Sequence, residues 1–386
     1  MNMKYLILIV TVITLLFSAC QETVEHKDVI LFTGTENSPV IKFAVEGPSV
    51  MALTVTATDK VTTDTEVGLA VANDLLQRYN EENNRSYVTL PAENYELEST
   101  TAVIKAGTNI SESVRLNIKS IDGLEESKIY CIPITITNVN TGMTVLEPSR
   151  TVYVLLNRPI VSRVINLGGD CAFNVPKFMT DKRVSSMMAI TMEARICSNA
   201  WVTYNPYIST VMGVEENYLL RFGDISLNRG DKLQMGPAKI GNKKYFVTGN
   251  ELYNTDKWYH VASVYDGSSV AIYVNGKLDV QFPVDPGAVN LNDDYFNGFW
   301  IGKSERGRTL RGAISEVRVW NRALTATEIQ DNACIVDPKS EGLLAYWHFN
   351  TVQEDGVTVR DETGNGFDAI ASNNKFTWIE NVKCPE

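Results

Sequence analysis

The chain has 386 residues, 44% of them apolar and 9% aromatic, with a formal net charge of −11. That supply of apolar side chains can fill more than one core and is unlike a disordered stalk. The acidic balance, with no basic cluster, argues against a nucleic-acid partner, which needs Lys and Arg to displace phosphate counterions, and against a polybasic grip on anionic lipid.

The chain opens with Lys4, an apolar run from Tyr5 to Phe17, and then Ser18-Ala19-Cys20. The run is shorter than the roughly 20 residues a membrane-spanning helix needs and suits a cleaved export signal. The pattern resembles a bacterial lipoprotein signal, with Phe17 standing where Leu is usual. The resemblance implies a signal peptide over 1–19, lipidation of Cys20, and a tether over 20–28. An ordinary secretory signal is the alternative, and both place the working protein outside the cytoplasm. The expected location is the outer membrane, lipid-anchored and facing outward.

From Val29 the text is mostly strand-like. Val50 to Ala57, Val103 to Lys105, Val114 to Ile118 and Ile132 to Ile136 alternate, separated by turns such as Ala106-Gly107-Thr108-Asn109 and Asp122-Gly123. Val71, Leu75, Leu76 and Tyr79 fall at helical spacing, with Asn73 or Asp74 as a cap. This predicts a β-sandwich with one short helix over 29–156. Asn157-Arg158-Pro159 is the linker, since proline resists continuing a strand ladder. A second strand-rich domain is expected over 160–384. Within it, Ile190, Met192, Ala194 and Ile196 alternate with Thr191, Glu193, Arg195 and Cys197. Asn275-Gly276 is a strong hairpin signal. Thr325 and Glu328 form a capping box ahead of a short helix.

Cys131, Cys171, Cys197, Cys334 and Cys384 follow Cys20, an odd number that leaves one unpaired. Cys334 with Cys384 is the favoured disulfide, because closing so long a loop is worth about 4 kcal/mol on the chain-entropy account. Cys171 with Cys197 is a second possibility, and Cys131 reads as a small buried hydrophobe. There is no CxxC, and His26, His260 and His348 lie far apart in sequence, which argues against zinc.

Three segments of the second region carry a resemblance. They are Trp258-Tyr259-His260-Val261-Ala262 with Ile272-Tyr273-Val274-Asn275-Gly276; Gly312-Ala313-Ile314-Ser315-Glu316-Val317-Arg318-Val319-Trp320; and Gly342-Leu343-Leu344-Ala345-Tyr346-Trp347-His348-Phe349 with Asp361 to Asp368. Together they resemble the laminin-G-like, concanavalin A-like jelly roll over roughly 160–384. In the first region, Tyr79-Asn80, Leu90-Pro91, Val103-Ile104-Lys105-Ala106-Gly107 and Tyr130-Cys131-Ile132-Pro133-Ile134 resemble the N-terminal module of Bacteroidota surface lipoproteins named for a lipoprotein-linked endo-β-N-acetylglucosaminidase. That likeness implies an immunoglobulin-like sandwich and an association with glycan-harvesting systems and their other surface uptake proteins. The expected fold class is therefore all-β: an immunoglobulin-like β-sandwich followed by a jelly roll.

Glycoside hydrolysis generally needs two carboxylates flanking the bond. The jelly-roll endoglucanase run Glu-x-Asp-x-x-Glu is missing, and Glu193-Ala194-Arg195 and Glu316-Val317-Arg318 each put Arg where the second acid would stand. The expectation is a non-catalytic protein that binds an extracellular glycan. The alternative is a structural or adhesion protein with a protein partner, and a glycoside hydrolase stands third. Sugars stack on flat aromatic faces beside hydrogen-bonding groups. Candidate contacts are Trp201, Tyr204, Asn205 and Tyr207 in one loop, and Tyr295, Trp300, Arg306 and Arg308 in another region. Asp361, Asn365 and Asp368 offer hard oxygens for calcium, which laminin-G-like domains often hold; a calcium-free turn in which Asp361 satisfies backbone donors is the rival. His260 is expected to be a hydrogen-bonded structural residue, and Trp320 and Trp347 core aromatics.

Overall fold

The computed structural model describes residues 28–305 and 308–384. Cys20, the expected signal over 1–19, most of the expected tether and Arg306 lie outside the described residues. No helix among the described residues is long and apolar enough to cross a membrane.

The first sandwich is built around Ile30, Val55, Ile104, Leu116, Ile132, Ile134, Val152 and Val154, all almost fully buried. Its largest sheet runs Val40–Ala44, Thr151–Asn157, Tyr130–Val139, Thr65–Val71, Thr101–Ile104. Two three-stranded sheets complete it. The alternating run from Val50 to Ala57 is divided at Thr54: Ser49–Leu53 pairs with Val114–Ile118, whereas Val55–Ala57 pairs with Val29–Phe32. Leu53 and Val55 are both buried, so the alternation carries through while the strand changes sheets. Helix α1, Asp74–Asn83, follows Asn73, whose side chain makes no capping hydrogen bond. It packs Leu76 and Tyr79 against Tyr87, Tyr153 and Leu155, with the Tyr79 and Tyr153 rings 4.0 Å apart.

The second domain is two large sheets face to face. One runs Lys277–Pro283, Ser269–Val274, Trp258–Tyr265, Ile190–Ser198, Gly312–Trp320, Ile160–Asn166, Thr377–Cys384, with Leu343–Trp347 also paired to Gly312–Trp320. The other runs Lys243–Thr248, Arg229–Ile240, Tyr218–Asp224, Ser209–Val214, Trp300–Ile301, Phe173–Asn174, Ala369–Ala371, Thr358–Val359. Strand side chains point alternately to opposite faces. Met192, Ala194 and Ile196 therefore enter the core between the sheets with Val261, Tyr265, Phe222 and Trp347. Thr191, Glu193 and Arg195 go to the outer face. The Asn275-Gly276 turn has both residues at positive φ, 50° and 75°, as a tight hairpin of this kind requires. Helix α2, Ala326–Asp331, starts at a complete Thr325/Glu328 capping box and lies on the outer face, where Ile329, Leu324 and Val336 pack on Trp320 and Tyr346. Cys334 is bonded to Cys384. Cys131 is a buried thiol, pushed up to about 12 by desolvation, and the Cys171 thiol lies 3.3 Å from the Asn373 carbonyl.

Candidate ligand cleft

A row of charged side chains lies on the outer face of the Trp258 sheet. The alternation of Ile190–Ser198 places Glu193 there, fully buried. Its neighbour strand contributes Arg318, 3.1 Å from Glu193 Oε1. A bulge at Glu316 (φ 52°) turns that carboxylate to the same side, 2.5 Å from Arg318 Nη2. Arg318 also donates to the Asn332 carbonyl at 2.6 Å, and its guanidinium lies over the Tyr346 ring. Trp320 Nε1 donates to Glu193, and Tyr346 Oη donates to Glu316. Burial alone would raise the Glu193 carboxyl. The Arg318 charge, His260 and the Trp320 donor outweigh it and hold the group at about 2. Burial would likewise lower His348, yet its 2.8 Å contact with Glu316 raises it above the usual imidazole range.

Beyond this row, the face opens into a cleft of about 840 Å³ between the two domains. Ligand sites of roughly 300–1,000 Å³ commonly lie at such junctions. Arg195, Trp258 and His260 form its floor, and the Arg195 guanidinium lies 4.8 Å from the Trp258 ring centroid. Gly276, at the turn beside the floor, lies against Gln330 of α2; a Cβ there would come within 2.6 Å of the Gln330 side chain. One wall is the first domain, with Lys42, Lys128, Arg158 and the end of Thr151–Asn157. The other is the segment after α2, secured by the Cys334–Cys384 bond. The walls are joined by Arg85 to Asp331 at 2.7 Å and by Lys128 to Asp337 at 3.0 Å. Arg158 donates to the carbonyls of Leu124, Glu125 and Lys128. A smaller cavity of about 250 Å³ shares Glu126 and Ile160 with the cleft and reaches Glu316 and His348.

His260 departs from its expected role. Its Nε2 is 3.2 Å from Glu193 Oε2, but neither ring nitrogen has a hydrogen bond of sound geometry. Its backbone N–H is the group that is tied down, donating to Asn275 Oδ1.

The residues proposed from sequence for sugar binding lie elsewhere and do not converge. Trp201 turns inward: its ring packs on Phe222 at 4.5 Å, and its indole N–H donates to the Tyr253 carbonyl. The 201–207 loop is seated on backbone without side chains; a Cβ at Gly223 would fall 2.0 Å from the Tyr207 carbonyl oxygen and one at Gly230 2.3 Å from that of Val202. Tyr204 is 61% exposed, and Asn205 is exposed beside it. The loop precedes the Ser209 end of Ser209–Val214, whereas Trp300 pairs near the far end, opposite Gly213. Trp300 donates its N–H to the Phe296 carbonyl and carries Lys303 3.8 Å over its ring, while Tyr295 is exposed. Arg308 is held by Glu215 at 3.0 Å.

The Asp361 turn is internally satisfied. Asp361 accepts from the backbone N–H groups of Tyr346, Thr363 and Phe367, and Asp368 accepts from that of Asp361. Arg183 donates to Asn365 Oδ1 and Lys177 to its carbonyl. As arranged, these residues do not present the 6–8 open oxygens calcium takes, and two cations already cover the Asn365 side. Among the described residues no group of three or more His, Cys, Asp or Glu is placed to hold a metal.

Comparison with known proteins agrees with this architecture. Residues 176–330 match the concanavalin A-like lectin/glucanases superfamily, in its laminin G form, and residues 25–143 match a family model described as an N-terminal domain. The second domain is a concanavalin A-like jelly roll, preceded by an immunoglobulin-like sandwich. No curated protein matches the sequence. Among solved structures, a Bacteroides ovatus protein provisionally designated carbohydrate-binding is similar over 92% of this chain and 98% of its own, at 23% identity and TM-score 0.57. EndoBT-3987 of Bacteroides thetaiotamicron, solved with a Man5GlcNAc product, aligns over 34% of this chain and 30% of its own, at 21% identity and TM-score 0.29. A SAP-like pentraxin of Limulus polyphemus aligns over 58% and 98%, at 14% identity and TM-score 0.34.

Sequence reasoning missed the cleft. Its lining comes from positions as distant as Lys42, Arg158, Trp258 and Asp331, which no local motif connects. The one local signal was that Trp258 and His260 share a strand face.

Proposed function

We propose that the protein is a non-catalytic, surface-exposed glycan-binding lipoprotein of a polysaccharide or N-glycan utilisation system. The observation that carries the reading is the interdomain cleft: a ligand-sized concavity with an indole, a guanidinium and an imidazole on its floor and amide side chains elsewhere in its lining. The carbohydrate-binding designation of the Bacteroides ovatus relative supports it. Of the three carboxylates lining the cleft, Glu126, Asp331 and Asp337, two are already engaged, which supports a binding rather than a hydrolytic role. Asp331 and Asp337 are engaged in ion pairs, and Glu193 is sequestered beneath Arg318. Lipid on Cys20 holds the protein at the outer membrane, facing outward. Other surface glycan-uptake proteins are its natural partners.

A glycan array probed with the full chain, with calcium and with chelator, tests the reading. A hit abolished by Trp258→Ala supports it, and dependence on calcium would add the metal to the site. Silence from folded protein in both conditions refutes it. Incorporation of a palmitate analogue, lost in Cys20→Ser, tests the anchor.

One observation favours a protein partner instead. The outermost strands of the two jelly-roll sheets, Lys243–Thr248 and Lys277–Pro283, expose Phe246, Leu278 and Phe282. Apolar groups gathered on one edge mark interaction surfaces. Array silence together with a partner captured only by the unaltered edge, and not by a Phe246→Ser/Phe282→Ser variant, would establish that alternative.

A further inference from the structure

Resting on the glycan-binding reading, we propose that the interdomain cleft takes an anionic glycan, one bearing carboxylate or sulfate groups. The chain as a whole is acidic, at −11, yet the cleft gathers Lys42, Lys128, Arg158, Arg195 and Lys257 against Glu126, Asp331 and Asp337. Two of those carboxylates are already matched. Asp331 takes Arg85 and the Tyr87 hydroxyl, and Asp337 takes Lys128. Among the described residues Lys42 is in no ion pair, and Lys257 lies 5.2 Å from the Tyr259 ring centroid with no carboxylate on it. The two come from opposite domains, so a ligand between them meets positive charge from both walls.

One half-buried cation points the same way. Arg158 is half-buried at the junction, its acceptors among the described residues are backbone carbonyls, and its guanidinium lies 5.3 Å from the Tyr130 ring centroid. Desolvation lowers its pKa, which an incoming anion would offset. Charge-assisted hydrogen bonds from Lys and Arg to carboxylate or sulfate are stronger than those to neutral hydroxyls.

The test uses the full chain with four probes: trigalacturonate, its fully methyl-esterified form, a heparin tetrasaccharide and a neutral high-mannose N-glycan. The expected result is binding to trigalacturonate or to the heparin fragment, with the ester and the neutral glycan at least about tenfold weaker. Raising salt from about 50 to about 300 mM should weaken the acidic interaction, because exposed charges are screened. Lys42→Glu with Lys257→Glu should reduce acidic-probe affinity about tenfold or more; both side chains are exposed, and an unchanged melting temperature checks folding. Equal binding of trigalacturonate and its ester, or neutral-glycan binding untouched by the charge reversal, overturns the anionic cleft and leaves the glycan reading standing. No binding to any probe removes both.

Discussion

Replacing Arg318 with Met is the sharpest test of the charged row beneath the cleft. Met is shorter but keeps an unbranched apolar stem, and it removes the charge from between two carboxylates, Glu193 and Glu316. Breaking a buried pair on one side typically costs about 3–5 kcal/mol. Both acids keep other partners: Glu193 retains Trp320 and His260, and Glu316 retains Tyr346 and His348. The cost should therefore approach one broken pair rather than two. The Asn332 carbonyl also loses its donor, which adds about 1 kcal/mol. A loss of about 5 kcal/mol would lower the jelly-roll melting temperature by about 10–20 °C at neutral pH. Scanning calorimetry, with near-UV circular dichroism following buried Trp320 and Trp347, measures it. Without Arg318 the two carboxyls should titrate above their unfolded values. The gap to the parent should then narrow as pH falls and they fold in neutral form. Adding Glu193→Gln and Glu316→Gln should recover most of the loss. A single variant melting within about 2 °C of the parent, or a triple variant no better than the single, would refute the view that Arg318 compensates both acids.

Other expectations are equally direct. In the parent protein Glu193 is held near 2 when folded, so its contribution is present above its unfolded value of about 4.5 and lost as pH falls toward 2. An acid titration should show about 3 kcal/mol of this loss missing in Glu193→Gln. His348 is raised by Glu316; its stabilisation is complete below about 6.5 and disappears as pH rises through the folded value, so His348→Gln should flatten the alkaline limb of stability against pH. Reducing Cys334–Cys384, which closes a separation of 50 residues, should cost up to about 4 kcal/mol and be read as a lower guanidinium midpoint with a changed slope. Trp201→Ala should destabilise the jelly roll by about 3 kcal/mol while leaving glycan affinity intact below the transition, since its ring is spent on Phe222 and Tyr253.

The strands were legible where one face meets a core. Alternation over 190–197 places Met192 and Ile196 inward because period two is a property of the extended backbone. The capping box at Thr325 was equally local and forms as written. The aromatic loops were not decidable in this way. Trp201 and Trp300 both sit in polar, turn-rich text, yet one indole is drawn down onto Phe222 and the other lies under Lys303. Which occurs depends on backbone contacts at Gly223 and Gly230, some twenty or more residues from Trp201. The Asp361 turn posed the same problem: Asp and Asn near Gly suit calcium and suit backbone N–H groups alike, and Lys177 and Arg183 arrive from nearly two hundred residues away. A concavity between domains is the least legible feature, because its chemistry is assembled by docking.

The pairing of Ile160–Asn166 has a consequence for the order of events during synthesis. Its partners are Gly312–Trp320 and Thr377–Cys384. The first strand of the jelly roll leaves the ribosome long before either exists and cannot be matched until most of the domain has been made. Until then it is an open edge carrying Val164 and Ile165, both of which end fully buried. Unpaired apolar edges of this kind are adhesive, and late long-range pairing is slow. The topology therefore defers closure of the domain until its last strand, Thr377–Cys384, has been made.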